Sequence, residues 1–304
     1  MHSQSIYTLD LNFMGVPGSI ASYLIPHTQG CILIESGPGS TQHTLQARLA
    51  EHGLRLSDIT DVFLTHIHLD HAGAAGWLSQ HGARIHVHPV GAPHLFDPEK
   101  LLSSAARIYG ENMDLLWGQF LPVPEERLSV LQDGDVVNIG SLSLQAIETT
   151  GHAEHHFAYL FEDVCFSGDI GGVRPAGSPH LRLPMPPPEF NLEKWRSSLL
   201  RMRELKFRRI APTHFGMFDD PDWHLQAIEH ELDTIDEWIS ASMPGCTDLD
   251  AVSASFMEWT HRRYEAEGLI PAQVEFFETA NPSWMSPAGI HRYWRKHRDP
   301  KASK

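Results

Sequence analysis

The chain of 304 residues is long enough for one large domain, or for one domain with a sizeable extension. Hydrophobic residues make up 41% and charged residues 20%, a composition that excludes a disordered chain. The formal net charge of −15 repels phosphate backbones, so we expect no nucleic-acid partner. No stretch approaches the about 20 consecutive apolar residues of a membrane span, so we expect no membrane partner either.

The three cysteines, Cys31, Cys165 and Cys246, lie far apart in the sequence. An odd number without CxxC spacing predicts neither a disulfide framework nor a zinc knuckle. Met1–Asp10 lacks a basic region followed by an apolar run, so we expect no signal peptide. Together these features favour a cytoplasmic protein.

The first two thirds of the chain alternate short apolar runs with helical patterns, which predicts an α/β fold. Strands are predicted at Ser5–Phe13, Ile20–Ile25, Cys31–Glu35, Asp61–Thr65, Arg84–His88, Leu128–Leu131, Val136–Ile139, Leu142–Ile147, Phe157–Phe161, Val164–Ser167 and Arg209–Pro212. Helices are predicted at Thr41–His52, Ala74–His81 and Leu192–Leu205, and then at Trp223–Ile239, Leu249–Glu267 and Ser286–Lys296.

Two segments depart from this alternation. Apolar residues at helical spacing in Pro98–Phe120 predict one or two amphipathic helices. Met113, Trp117 and Phe120 of this segment could line a hydrophobic substrate wall, although we favour a packing role. The Gly- and Pro-rich stretch from Asp169 to Pro188 is longer than a simple connection between two elements needs, so we expect a functional loop.

Basic residues concentrate in two clusters of the otherwise acidic chain. One cluster contains Arg201, Arg203, Lys206, Arg208 and Arg209, and the other contains Arg292, Arg295, Lys296, Arg298, Lys301 and Lys304. We interpret both clusters as solvated helix faces and a chain end.

Four potential metal ligands, His66, His68, Asp70 and His71, fall within six residues directly after a predicted strand. A loop leaving a strand can turn the first two to one side and the last two to the other. This arrangement favours two adjacent metal ions rather than one. Imidazole and carboxylate ligands suit zinc, and also iron or manganese.

The run His66-x-His68-x-Asp70-His71, followed by Ala-Gly, resembles the signature of the metallo-β-lactamase superfamily. Further motifs similar to those of that family follow in order: Thr150-Gly151-His152, Phe166-Ser167-Gly168-Asp169 and Ala211-Pro212-Thr213-His214-Phe215-Gly216. Each of them comes at the end of a predicted strand. The resemblance covers about residues 5–216 and implies an αββα sandwich.

The resemblance also implies a metal-ligand set. One metal ion would be held by His66, His68 and His152, a second by Asp70, His71 and His214, and Asp169 would bridge the two. Two divalent ions, zinc first with manganese or iron as alternatives, lower the pKa of a shared water and polarise the scissile bond. Asp70 could orient the bridging hydroxide and pass a proton to the leaving group, a catalytic role.

The domain organisation follows from these assignments. We expect a metallo-β-lactamase-like domain over residues 1–220, in which residues 98–120 form an inserted helical lid. Residues 221–304 form a helical C-terminal extension. That extension could complete the pocket, cap the sandwich or form a homodimer contact.

Several other polar residues are weighed as site residues. His156 could fix a ligand or the loop, or could lie at the surface, whereas His155 is expected at the surface. His86 and His88 share a strand face but have no evident partners there. Arg174, in the loop after Asp169, could meet an anionic substrate.

The prediction for function is a metal-dependent hydrolase that cleaves a small ester, thioester or lactone. After Asp169 the chain continues Ile-Gly-Gly-Val, whereas glyoxalase II enzymes have Thr-Leu-Phe and quorum-quenching lactonases have a nearby tyrosine, so no subfamily is assigned. A phosphodiesterase or nuclease is one alternative, because the same metals suit attack at phosphorus. An iron-dependent thiol or persulfide dioxygenase and a non-catalytic metal-binding scaffold are the others.

Overall fold

A computed structural model describes residues 4–246 and 248–299 of the chain. Residues 1–3 of the N-terminal stretch lie outside the described residues, as do Lys301 and Lys304 of the C-terminal basic cluster. Within the described ranges, no helix is both long enough and apolar enough to cross a bilayer.

The strands of the described chain form two sheets. The first contains β1 (Tyr7–Asp10), β2 (Ala21–His27), β3 (Gly30–Ile34), β4 (Ile59–Phe63), β5 (Arg84–Val87) and β6 (Leu128–Val130) in that spatial order. The second contains β7 (Val136–Ile139), β8 (Leu142–Glu148), β9 (Phe157–Phe161), β10 (Val164–Phe166) and β11 (Arg209–Ala211). The pairs from β3 to β6 and the β10–β11 pair are parallel, and the remaining neighbours are antiparallel.

Helices flank the two sheets in two groups. The first group contains α1 (Gln42–Glu51), α2 (Leu69–Ala72), α3 (Ala75–Gln80), α4 (Ala92–Phe96), α5 (Glu99–Tyr109) and α6 (Met113–Trp117). The second contains α7 (Leu192–Glu204), α8 (Pro221–Ser242), α9 (Leu249–Ala266), α10 (Pro271–Ala280) and α11 (Ser286–His297).

Side-chain alternation along the strands produces three apolar layers. In β3, Cys31 and Leu33 join a core with the first group of helices, whereas Ile32 and Ile34 face the second sheet. On the far side of the second sheet, Cys165 packs with residues of α7, α8, α9 and α11. The fold is therefore the αββα sandwich that the resemblance implies, and its C-terminal helices share a core with the second sheet.

The predicted strands and long helices agree with the structure, although their ends differ by a few residues. The Pro98–Phe120 segment forms α5 and α6, which confirms the prediction of one or two helices. Helix α10 and the short helices α2 and α4 are absent from the sequence-based assignment. In α10 the apolar residues Phe276 and Phe277 are adjacent, so the segment lacks clear helical periodicity.

Candidate metal centre

The predicted ligands converge because each one follows a strand that ends at the same edge of the sandwich. His66 and His68 lie in the loop after β4, and Asp70 and His71 lie in the short helix α2 that follows. His152 comes after β8, Asp169 after β10 and His214 after β11. Residues separated by almost 150 positions therefore meet in one buried cluster.

Three imidazole nitrogens converge in the first group. His66 Nε2 lies 2.9 Å from His68 Nδ1 and 3.2 Å from His152 Nε2, and the last two atoms are 2.9 Å apart. Lone pairs of three neutral rings that point at one another repel unless a proton or a cation lies between them. This group can hold one metal ion.

The second group contains Asp70, His71 and His214. Asp70 Oδ2 lies 3.5 Å from His71 Nε2 and 3.4 Å from His214 Nε2. The two histidines are buried, and Asp70 is partly exposed to the cavity above. These three side chains can hold a second metal ion.

Asp169 lies between the two groups and presents one oxygen to each. Its Oδ2 is 3.3 Å from His152 Nε2 and 4.0 Å from His66 Nε2. Its Oδ1 is 3.2 Å from His71 Nε2 and 3.5 Å from His214 Nε2. A carboxylate in this orientation is suited to bridging two cations.

Hydrogen bonds to the other ring nitrogens fix the orientation of four histidines. His214 Nδ1 donates to the carbonyl of Ser19 at 2.7 Å, and His152 Nδ1 donates to the carbonyl of Pro184 at 2.9 Å. His66 Nδ1 donates to Thr65 Oγ1, and His71 Nδ1 donates to a carboxylate described below. Each ring therefore directs its Nε2 into the cluster, which is the orientation that a metal ligand requires.

Glu35, which the sequence analysis missed, is the carboxylate that orients His71. It is fully buried, and its Oε1 accepts hydrogen bonds from His71 Nδ1 at 2.9 Å and from the hydroxyls of Thr65 and Thr213. Its Oε2 accepts from the Thr65 amide. Because Thr65 in turn accepts from His66, this carboxylate supports both groups of candidate ligands. Its position directly after an apolar strand was the available signal.

The cluster has the properties of a cation site. No described residue offers a hydrogen-bond partner to the buried atoms His71 Nε2, His214 Nε2 and Asp169 Oδ1. The carboxylates of Glu35, Asp70 and Asp169 all lie within 3.5 Å of the His71 ring nitrogens, and those of Glu35 and Asp169 are buried. Such a concentration of negative charge requires compensating positive charge. Oxygen and imidazole donors together fit a divalent ion such as zinc.

The protonation states of the donors also suit metal binding. Burial lowers the pKa of His152 to about 4 and holds the pKa of His66 well below its usual range, so both rings are neutral at pH 7. Burial alone would raise the pKa of Asp169, but the surrounding histidines outweigh it and keep that pKa low. At His71 and His214 burial opposes the charged form, but the charges of Asp169 and Asp70 outweigh it and raise the pKa of both rings. The first group therefore offers neutral rings at His66 and His152, whereas a cation in the second group would have to displace a proton.

Two further histidines support the loop that carries His152. His156 is buried, its ring contacts the Thr149 hydroxyl, and its Nε2 accepts from the Ile170 amide. The expectation that His155 lies at the surface is wrong. Its ring is buried parallel to His66, with a centroid separation of 6.0 Å, because the loop folds back over the cluster.

Arg174 does not face a substrate space, contrary to the expectation that it could bind an anion. It is buried, forms two 2.7 Å hydrogen bonds with Asp220, and lies 3.9 Å from the ring centre of Phe218. His86 and His88 have partners that the sequence did not reveal, since they pair with Asp61 and Glu148. These side chains are engaged in structural contacts.

The first basic cluster is largely paired with acidic residues on neighbouring elements. Salt bridges link Arg201 to Asp133, Arg203 to Glu229 and Arg209 to Asp163, with distances of 2.8, 2.8 and 2.6 Å. This cluster is therefore a salt-bridged surface, and its positive charge is substantially neutralised by neighbouring carboxylates.

A cavity of about 680 Å³ opens above Asp70 and Asp169. Its walls come from α5 and α6 on one side and from residues near Pro282–Met285 on another. Trp117 both lines the cavity and joins the apolar core, whereas Met113 and Phe120 only pack against that core. The cluster thus lies at the base of a space that can admit a substrate.

Histidine and aspartate side chains that converge where the strands of an αββα sandwich end are typical of one class of metal-dependent enzymes. Residues 15–214 match the sequence profile of the Metallo-beta-lactamase superfamily, a span that contains every predicted ligand. The chain belongs to the metallo-beta-lactamase superfamily.

Curated relatives of this chain include named hydrolases. A hydroxyacylglutathione hydrolase from Aeromonas hydrophila is 33% identical over 147 residues, which cover 48% of this chain and 44% of that protein. An atrochrysone carboxyl ACP thioesterase from Aspergillus fumigatus is 29% identical over 206 residues, which cover 66% of this chain and 51% of that protein. The chain thus spans about half the length of these relatives.

Solved structures with the same fold include archaeal and bacterial proteins. A metallo-beta-lactamase family protein from Thermus thermophilus is 23% identical to this chain, with a TM-score of 0.64. The matched region covers 96% of this chain and 93% of that protein. The archaeal superfamily protein ST1585 from Sulfolobus tokodaii is 20% identical and covers 77% of this chain and 86% of its own, with a TM-score of 0.61. These similarities concern the fold.

Proposed function

We propose that this protein is a binuclear metal-dependent hydrolase of small esters or thioesters, lactones included. The observation that carries the proposal is the convergence of two ligand groups on the two oxygens of Asp169 at the base of a cavity. Zinc is the metal that this donor set suits first, with manganese and iron as alternatives.

The residues of the cluster would have two roles, metal binding and proton transfer. His66, His68 and His152 would hold one ion, Asp70, His71 and His214 the other, and Asp169 would bridge them. Bound divalent ions supply Lewis acidity, which polarises a carbonyl and makes a coordinated water more acidic. Asp70, the partly exposed carboxylate of the set, faces the cavity and can accept a proton and deliver it to the leaving group.

Two observations support acyl transfer over the alternatives. The relatives include a hydroxyacylglutathione hydrolase and a thioesterase, whose names indicate carbonyl chemistry. In the first basic cluster, Arg201, Arg203 and Arg209 are paired with carboxylates, so they do not offer the open positive surface that a nucleic acid needs. A mononuclear iron oxygenase would leave Asp70, His71 and His214 without a cation to bind.

The first experiment measures the metal content of protein purified without added metal, in the wild type and in the variants Asp169→Ala and His43→Ala. His43 is an exposed histidine on α1 and serves as the control. We expect about two divalent ions per chain in the wild type and in the control, and a loss of ions in Asp169→Ala. A single iron per chain would contradict the binuclear proposal.

The second experiment is a substrate panel of esters, thioesters, lactones and a bis-aryl phosphodiester with the metal-loaded protein. Hydrolysis of esters or thioesters that is abolished in Asp169→Ala and retained in His43→Ala is the expected outcome. Cleavage of the phosphodiester alone would establish the alternative, and oxygen uptake with thiols would establish the dioxygenase.

A further inference from the structure

The size of the cavity is the first indication of the substrate. At about 680 Å³ it falls within the range of about 300–1,000 Å³ that is typical of sites for drug-sized ligands. A two- or three-carbon acyl group would leave most of this space to water. Leu101, Ile108 and Trp117 from α5 and α6 form an apolar wall, and Pro282 and Met285 form the opposite one.

The mouth of the cavity carries apolar side chains that remain exposed. Met14, Val90, Leu115 and Trp284 all line the cavity, and between 44% and 62% of each side chain is accessible to solvent. Exposed apolar residues that cluster at a concave site mark a place where an apolar ligand binds. The apolar surface therefore continues from the cavity wall to the protein surface.

Tyr109 connects the two walls. Its ring centroid lies 5.0 Å from that of Trp117 and 6.0 Å from that of Trp284. Its hydroxyl contacts Met285 Sδ at 3.6 Å. The helical insert and the segment between α10 and α11 are therefore in contact, and they enclose the space above Asp70.

Away from the candidate metal ligands, the walls of the cavity carry little positive charge that could pair with an anionic substrate. Besides the candidate ligands, its charged lining consists of Glu189, Glu278 and Lys100, and no arginine from the described part of the chain reaches it. Glu278 accepts hydrogen bonds from Ser283, and Glu189 accepts one from the Glu154 amide. A glutathione thioester, with two carboxylates, would meet a single ammonium group on these walls.

We infer that the substrate carries a bulky apolar acyl group, an aliphatic chain or an aromatic ring system, that fills this cavity. Its ester or thioester carbonyl would lie at the base, beside Asp70 and Asp169. This inference rests on the proposed function and adds the substrate class. It also separates this chain from a glutathione thioester hydrolase.

The test uses two adjacent serines of α5. Ser104 lines the cavity and is half-buried, whereas Ser103 is exposed and does not contribute to the lining. Ser104→Trp therefore places an indole in the acyl space, and Ser103→Trp is the matched control. Both changes leave the candidate metal ligands intact.

The kinetic readout compares p-nitrophenyl decanoate with p-nitrophenyl acetate. We expect the wild type to prefer the decanoate by at least about tenfold in kcat/KM, because each buried methylene adds favourable transfer free energy. Ser104→Trp should lower kcat/KM for the decanoate by about tenfold or more and change the value for the acetate by less than about twofold. Ser103→Trp should change neither. An equal loss for both esters would overturn the inference.

A binding readout is independent of turnover. Undecan-2-one, a ketone that cannot be hydrolysed, is titrated by calorimetry and compared with butan-2-one. We expect the longer ketone to bind the wild type and Ser103→Trp at least about tenfold more tightly than it binds Ser104→Trp. Equal affinity for the two ketones, or for the two variants, would overturn the inference.

The two readouts separate this inference from the proposed function. Selective binding of undecan-2-one without hydrolysis of any ester would contradict the hydrolase and leave the apolar acyl pocket established. Hydrolysis of esters without preference for the decanoate would support the hydrolase and contradict the apolar acyl pocket.

Discussion

Replacement of the buried Glu35 by glutamine tests how the two ligand groups are held. Gln is nearly isosteric and keeps one oxygen, which can take the place of Oε1 and accept from His71, Thr65 and Thr213. The amide NH₂ group then faces the Thr65 backbone N–H, where Oε2 now accepts at 3.3 Å. The change removes one negative charge and brings two donors together.

The magnitude follows from these contacts. Hydrogen bonds to a charged acceptor contribute about 1.5–3 kcal/mol and neutral ones about 0.5–1.5 kcal/mol, so the His71 bond loses about 1 kcal/mol. The opposed donors cost about 1–3 kcal/mol in the free energy of unfolding. Loss of a group that orients a metal ligand weakens metal binding by about 10–100-fold. Because Thr65 connects Glu35 to His66, we expect weaker binding of both ions.

The assay is a competition for zinc between the protein and a chromophoric chelator, together with urea unfolding of the metal-free protein. Glu51→Gln on α1 is the control, since Glu51 is exposed and pairs with Arg48 at 2.8 Å, away from the candidate ligands. We expect no change in zinc affinity for this control. A Glu35→Gln protein that is less stable but binds both zinc ions like the wild type would refute the reasoning.

Three further predictions concern the surroundings of the cluster. At Gly151, φ is +137° and an added Cβ would lie 2.5 Å from the Trp195 backbone. Gly151→Ala should therefore lower the free energy of unfolding, measured in urea, by more than about 1 kcal/mol and weaken zinc binding at His152. Arg174→Ala removes the paired hydrogen bonds to Asp220, and we expect a loss of about 1–3 kcal/mol in the same measurement. Burial lowers the pKa of His224 to about 4, whereas the unfolded value is about 6.5. The stability that neutral His224 provides is complete above about pH 6.5 and decreases by about 3 kcal/mol towards pH 4, so His224→Gln should reduce this pH dependence.

The glycine and histidine predictions have matched control variants. Gly53 also has a positive φ, like Gly151, but nothing lies within 4 Å of a Cβ added there, so Gly53→Ala should leave zinc binding unchanged. His43→Gln, at an exposed histidine, should keep the pH dependence of the wild type. Unfolding curves of Arg174→Ala that coincide with the wild type, or a pH dependence that persists in His224→Gln, would contradict the corresponding prediction.

The sandwich and the candidate ligands could be predicted because their signals are local. Alternating residues such as Cys31 to Ile34 already show which faces of a strand are buried, since the period of a strand is two. The predicted ligands come in short runs directly after such strands. The resemblance to a known family then relates four runs that no spacing rule would have joined.

The remaining features depend on contacts between distant segments. Glu35 is 36 residues from His71 and 178 residues from Thr213 in the sequence, so the residues near it do not show which groups its carboxylate contacts. His155 has the local context of a surface residue, yet the fold buries it beside His66. Arg174 similarly meets Asp220 only after α8 has docked on the second sheet.

The contact between Tyr109 and the Trp284–Met285 segment has a consequence for how this protein could diversify. The span that matches the superfamily profile ends at residue 214 and includes all the candidate ligands, whereas Trp284 and Met285 lie beyond it. Selectivity would therefore be encoded in two distant stretches of the gene, one inside the matched span and one beyond it. A chimera that received a new helical insert from a relative would need the matching C-terminal segment as well, because the two surfaces pack against each other.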